Sequence, residues 1–283
     1  MDATKNRISR RAIHAAHSDM GALRGIIWQL NELFRFRYVI QVYLKNRITD
    51  RYHGSVLGIA WSLFNPLLSM LGFALVLPLI MKFKVPDYII YLLSGVAVWG
   101  FISGSISAGS ESIISNRFLF QKVYIPKPMF PFVVVSADLL NLIITLVAFH
   151  IIGFAFGLNL STNILYLFIA VVLTYVFCLG LAFIASAMIV YFRDSRHIIG
   201  VVLQFIFYVS AIIYPASMIP EKYLILLEIN PFYQFIRLFH ISLYPHIDPD
   251  TGYLLIPAAL AIGTLLLGTY VQYKAGKSII YRL

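Results

Sequence analysis

Six long apolar runs, 56–80, 89–110, 130–153, 164–191, 198–217 and 253–271, restrict this chain more than any other feature. A helix needs roughly 20 predominantly apolar residues to cross the hydrocarbon of a bilayer. A segment in lipid must also satisfy its backbone polar groups internally, which these runs can do only as helices. The fold predicted is therefore an all-α integral membrane protein with six transmembrane helices. Composition supports this: 60% of the 283 residues are hydrophobic and 12% charged, against roughly 25% charged in a soluble domain.

Lys and Arg orient the runs, because cytoplasmic loops carry the excess of basic residues. Eighteen of the 22 lie before the first run, between the second and third, between the fourth and fifth, or after the sixth. Only Lys82, Lys84, Lys222 and Arg237 lie on the other side. Both termini are thus predicted to be cytoplasmic. The net charge of +10 follows this topology rather than the clustered basic face of a nucleic-acid binder. The first 25 residues are polar and basic without an apolar h-region, so no cleavable signal peptide is expected. The single cysteine, Cys178, excludes an intrachain disulfide and a cysteine-based metal cluster.

The predicted domains are a flexible cytoplasmic tail over 1–25, an amphipathic interface helix over 26–52, the six-helix membrane domain over 53–274 and a cytoplasmic tail over 275–283. Within the interface helix Ile27, Leu30, Leu33, Phe34, Tyr38, Leu44 and Ile48 fall on one side. Asn31, Glu32, Arg35, Asn46 and Arg47 fall on the other. Arg37 and Gln41 interrupt the apolar stripe and are expected at a cytoplasmic pore entrance. Residues 220–246 contain Glu228, Arg237 and a break at Asn230-Pro231. They read as two short re-entrant or interfacial helices between spans five and six. The alternative is a seventh span, which would place the basic C-terminus outside.

No catalytic or metal-ligating pattern stands out. The seven histidines are dispersed, and no HExxH, GxSxG or paired-carboxylate arrangement occurs. Gly276-Lys277-Ser278 imitates the end of a phosphate-binding loop, but Val271 occupies the position of the preceding glycine. No nucleotide site is therefore expected on this chain. Asp138 and His150 are ionisable groups inside the third run, and each is either a structural hydrogen-bonding group or part of a pathway. Deep aromatics such as Trp61, Trp99 and Tyr208, and outer-side Tyr214 and Tyr233, are either packing groups or faces on which sugars stack. The segment 116–126, NRFLFQKVYIP, carries a short amphipathic helix that either docks into a partner's groove or lies on headgroups.

Three stretches shift these choices. RYHGSVLGIAW over 51–61, followed by Asn65-Pro66, is one; NRFLFQKVYIP leading to Phe130-Pro131 is the second. The third is YFRD over 191–194, with Ile213-Tyr214-Pro215 and NPFY over 230–233. Together they resemble the ABC-2 type permeases that export polysaccharides, of the O-antigen and teichoic-acid branch. The resemblance implies a bacterial inner-membrane homodimer working with two copies of a separate ABC ATPase. ATP and Mg would sit on that ATPase, with no cofactor on this chain. The cargo would be a lipid-linked polysaccharide drawn from the cytoplasmic leaflet. Asn116, Arg117, Phe118, Leu119, Phe120, Gln121 and Lys122 become candidates for ATPase coupling. Arg37, Trp61, Asn65, Trp99, Asp138, Tyr208, Tyr214 and Tyr233 become candidates for the substrate pathway. An ABC-2 exporter of small hydrophobic compounds remains the alternative, and an ion-coupled transporter would need an internal repeat that is not visible.

Overall fold

The computed structural model describes residues 22–52, 61, 64, 68, 72, 88–122, 124–155, 163–247 and 250–282. Residues 1–21 of the predicted N-terminal tail and nearly all of the predicted first span lie outside the described residues, while residues 22–25 of that tail begin a helix. The helices are α1 (Ala22–Arg35), α2 (Arg37–Tyr52), α3 (Tyr88–Ser115), α4 (Arg117–Lys122), α5 (Met129–Ala155), α6 (Ile164–Tyr191), α7 (Ser195–Val209), α8 (Glu221–Ile229), α9 (Pro231–Leu243) and α10 (Gly252–Arg282). A 3-10 turn at Ala216–Met218 precedes α8.

Among the described residues four helices are long and apolar enough to cross a membrane: Tyr88–Ser115, Met129–Ile151, Ile164–Tyr191 and Gly252–Gly276. At 1.5 Å per residue, the 28 residues of α6 rise about 42 Å, more than the roughly 30 Å of hydrocarbon. This is the helical bundle of an integral membrane protein. The run predicted to span 198–217 differs. Its helix, α7, has 15 residues and stops at Val209. Ala211 then takes a left-handed φ of 49°, and Pro215 disfavours helical backbone at Tyr214. The apolar run continues through this turn, so hydropathy alone hid the end of the helix.

α6 forms the centre, packing against α10, α3, α5 and α9. Close approach depends on small residues. A Cβ on Gly180 of α6 would fall 2.6 Å from the backbone nitrogen of Leu265 on α10, and one on Gly109 of α3 would fall 2.7 Å from the Ala182 Cβ. The buried amide of Gln272 on α10 donates to the Phe183 carbonyl and the Ser186 hydroxyl of α6, each at 2.8 Å. Apolar Leu255, Leu266, Phe168, Val201 and Phe205 point outward, as surfaces facing lipid or another protein do.

α8 and α9 share one end of the bundle. The Asn230 side chain caps α9 by accepting from the Phe232 N–H at 3.0 Å, and Pro231 occupies its first turn. Nearly every residue of α9 is buried among α3, α6 and α10. Phe235 stacks on Phe177 with centroids 4.2 Å apart. Its 13 residues rise only about 20 Å, so this helix is packed against protein and is too short to cross.

Candidate functional site

The basic end of the bundle carries α1, α2 and α4. The single predicted interface helix is divided at Phe36 into α1 and α2, although Phe36 N–H still bonds the Glu32 carbonyl and Ile40 N–H the Phe36 carbonyl. Burial on α1 follows neither predicted side: Asn31 and Arg35 of the polar side are exposed, and Leu33 of the apolar side packs inward. Gly25, Gln29 and Glu32 are buried, whereas Ile27 and Phe34 are exposed. A Cβ on Gly25 would meet the ring of Tyr273 on α10. With its amide turned to match its partners, Gln29 donates to the Thr269 carbonyl at 2.9 Å and accepts from the Tyr273 N–H at 3.0 Å. These two groups are one turn apart on α10, so Gln29 inserts at a rung of its helical ladder. Tyr124 bonds the Glu32 carboxylate; burial first, and that neighbouring charge second, push Tyr124 up to about 12.

α2 docks on the start of α5. Val39, Ile40, Tyr43 and Leu44 pack with Leu119 and Phe120 against Ile125, Met129, Phe130 and Val133. Phe130 is the hub, edge-on to Phe120 at 5.0 Å and to Tyr43 at 6.0 Å. Asn116 forms the joint between α3 and α4, donating from Nδ2 to the Ser112 carbonyl at 2.8 Å. Leu119 and Phe120 thus anchor α4, while Phe118 is 61% exposed with Arg117 over its ring at 4.9 Å. The Gln121 and Lys122 side chains lie outside the described residues. Arg196 at the start of α7 pairs with Glu111 on α3 at 2.9 Å. Lys127 is buried beside Gly276 of α10, and burial pulls its ammonium down to about 8.

The opposite end gathers several of the predicted pathway residues. Trp99 is buried against Phe207 and Phe232, at 5.8 and 6.1 Å. Phe207 touches Tyr208, whose carbonyl accepts from the Tyr214 hydroxyl at 2.7 Å. Tyr233 packs with Ala211, Leu227 and Tyr214. The Tyr88 hydroxyl donates to the Ile213 carbonyl, and Tyr91 donates to the Ala211 carbonyl at 2.9 Å. The turn that ends α7 is therefore held by hydroxyls from α3. A cavity of 480 Å³ lies alongside, lined by residues including Tyr91, Ser217, Tyr233, Arg237, His240 and Tyr244. Arg237 pairs with Glu228 at 2.8 Å and stacks on Tyr253 at 3.7 Å.

The other pathway candidates stand apart. Arg37 is exposed on α2, with its guanidinium over Phe34 and Tyr38 at 5.0 and 4.8 Å. Trp61 is exposed and edge-on to Phe64 at 6.4 Å, and Asn65 lies outside the described residues. Asp138 is buried on α5. His150 Nδ1 donates to the Leu146 carbonyl at 2.8 Å, one turn back on α5. Sequence reasoning missed Gln29, Tyr91, His240 and the Glu228–Arg237 pair as site-forming residues. Only the last carried a signal, two charges of opposite sign inside an otherwise apolar stretch. Among the described residues no group of His, Cys, Asp and Glu could hold a metal ion.

Among the described residues, a bundle with four membrane-length helices, the short buried α9 beside a largely exposed α8, and amphipathic helices docked at its basic end defines a polytopic membrane protein. The profile of the ABC-2 type transporter family matches residues 38–244, and the chain belongs to that family. It is 28% identical over 235 residues to the O-antigen export system permease protein RfbA of Myxococcus xanthus, covering 82% of this chain and 90% of that protein. Two proteins of the same name from Klebsiella pneumoniae are 28% and 27% identical over 182 residues, covering 64% of this chain and 70% of each.

Proposed function

We propose that this chain is the permease subunit of an ATP-driven exporter that moves a lipid-linked polysaccharide of the O-antigen type across the bacterial inner membrane. The observation that carries the reading is the alignment along nearly the whole of a permease named for O-antigen export, within a family match that includes α2 through α9. Six spans with both termini cytoplasmic fit the distribution of Lys and Arg. α7 is then the fifth span, completed by the turn at 210–214, and α8 and α9 are re-entrant. Two copies of the chain form the pore, and two copies of a separate ABC ATPase supply ATP and Mg chemistry.

The docking of α1, α2 and α4 at one end supports a role for Asn116–Lys122 as the segment that receives the ATPase's motion. α4 presents Phe118 and Arg117 outward while Leu119 and Phe120 join it to α2 and α5. A push on α4 is therefore delivered to α3, through Asn116, and to α5, through Phe130 (a short rigid path). The outer end, with Tyr208, Tyr214 and Tyr233, fits a glycan exit, since tyrosines offer both a stacking face and a hydroxyl.

Conditional depletion tests the reading, with surface glycan and its lipid-linked intracellular form measured separately. Loss of a surface polysaccharide with internal build-up of the lipid-linked form is expected. Unchanged surface glycan without build-up overturns the glycan reading and turns the search to small hydrophobic exports.

A further inference from the structure

The cavity of 480 Å³ at the outer end is enclosed by the start of α3, the 3-10 turn, α9 and the segment that follows α9. It falls within the roughly 300–1,000 Å³ range of small-molecule sites. Its floor is held in place by its own packing. The Tyr91 ring stacks on the His240 imidazole with centroids 3.8 Å apart and meets Tyr244 edge-on at 5.6 Å. The Tyr91 hydroxyl is fixed on the Ala211 carbonyl at 2.9 Å. Gly95, one turn beyond Tyr91, makes room for the imidazole, since a Cβ there would fall 2.9 Å from His240 Nε2. Three rings are thus packed into one aromatic floor.

The rest of the lining decides what chemistry could enter. Arg237 is the one lysine or arginine among the described lining residues, and Glu228 at 2.8 Å and the Tyr253 ring at 3.7 Å already engage it. A phosphate or carboxylate would have to compete with Glu228 for that cation and would meet no second one. The Ser217 and Tyr233 hydroxyls line the same cavity and have no hydrogen-bond partner among the described residues. A hydroxyl both donates and accepts, so two such groups suit a neutral ligand that carries hydroxyls of its own. A hydrocarbon chain would cover them without satisfying them, which is costly. A pyranose uses both parts of the wall: its C–H face lies on aromatic rings and its hydroxyls exchange hydrogen bonds with the edge.

We propose that this cavity holds one uncharged pyranose unit of the exported glycan, with Tyr233 and Ser217 as its hydrogen-bonding groups and the rings of Tyr91 and Tyr244 beneath it. The proposal rests on the reading that the cargo is a polysaccharide. It adds a station that lies within one copy of the chain rather than between two. It also adds a selectivity: uncharged sugar units are favoured, because the one cation of the wall is already neutralised. Ser217 belongs to the 3-10 turn and Tyr233 to α9, so a bound sugar bridges the segment after α7 and the buried helix.

The test is saturation-transfer NMR on the full-length permease in phosphatidylcholine nanodiscs, with the methyl glycosides of glucose, galactose, mannose, rhamnose and N-acetylglucosamine as probes. Saturable binding of at least one is expected. Ser217→Trp, at an exposed position where folding is not at stake, fills the mouth and should weaken that binding at least tenfold. Tyr233→Phe, which keeps the ring and removes the hydroxyl, should weaken it severalfold. Tyr223→Ala, an exposed aromatic of α8 outside the cavity, should leave it unchanged, as sticking to any outer tyrosine would not. Methyl glucuronide should bind no more tightly than methyl glucoside. The proposal is overturned if none of the five glycosides saturates, if Ser217→Trp and Tyr233→Phe both bind as the parent does, or if the glucuronide is tenfold tighter, which would mark an anion site. If no glycoside binds while depletion still traps a lipid-linked glycan inside, the sugar station is wrong and the export reading stands. If depletion leaves the surface glycan untouched, the export reading itself fails.

Discussion

Replacing Gly180 with alanine tests whether the crossing of α6 and α10 is as close as the structure has it. The added methyl carbon would lie 2.6 Å from both the Leu265 nitrogen and the Thr264 carbonyl oxygen. Ordinary contact begins near 3.4 Å, so α10 must retreat by almost 1 Å, and the obstacle is backbone that cannot rotate away. Gly263 of α10 is the internal control, since a Cβ there meets nothing within 4 Å. Glycine-to-alanine in a helix with open space gains about 0.5–1 kcal/mol. Overpacking a tight contact costs about 1–3 kcal/mol. Gly180→Ala should therefore fall below Gly263→Ala by roughly 1–3 kcal/mol in stability, since the propensity gain is common to both, with Gly263→Ala at or slightly above the parent. Unfolding in mixed detergent micelles, followed by helical circular dichroism across an SDS titration, measures the difference. Equal midpoints for the two variants would refute the crossing geometry, because no rotamer change can relieve a clash with backbone.

Lys127→Met should stabilise the protein at pH 7 by on the order of 3 kcal/mol, because burial pulls this ammonium from 10.5 to about 8. The unfolded chain binds more protons between those values, so the parent gains stability as pH rises from 8 to 10.5 and the advantage of Lys127→Met disappears; pH-dependent unfolding midpoints check this. Phe118→Ala should leave the midpoint within about 0.5 kcal/mol of the parent, as expected for an exposed position. It should nonetheless lower glycan export when surface polysaccharide is assayed with the ATPase present. Separating Glu111 from Arg196 by Arg196→Ala should cost no more than about 1 kcal/mol, since both side chains are partly exposed; the same titration reads it.

Hydropathy made the long helices legible. The predicted 164–191 run coincides with α6, and 89–110 lies within α3. Where helix and apolar run part company, the reading fails. α10 continues past the apolar window through Gln272, Tyr273 and Lys274, because polar residues at its end bond to α1 and α6 rather than to water. α7 ends inside its window, because Ala211 and Pro215 act on backbone geometry, to which hydropathy is blind. The coupling candidates at 116–122 were visible as an amphipathic segment leaving a span. Tyr208, Tyr214 and Tyr233 were legible as candidates, but the part Tyr91 plays beside them was not, since Tyr91 and Tyr214 are 123 residues apart and their meeting depends on the fold.

The polar contacts of α1 link these observations to function. A helix that merely rested on headgroups would need only its apolar side; α1 also uses its polar side, through Gln29 at the Thr269–Tyr273 rung and Glu32 at Tyr124. These contacts lie near the basic end of α10. Tyr124 lies between α4 and α5, so the same short helix grips α10 with one residue and the α4–α5 connection with the next turn. Displacement of α4 by an ATPase would then be felt by α10 as well as by α3 and α5. Three of the four membrane-length helices among the described residues are thereby joined to α4, and the fourth, α6, follows because α10 is pinned to it through Gln272 and the Gly180 crossing.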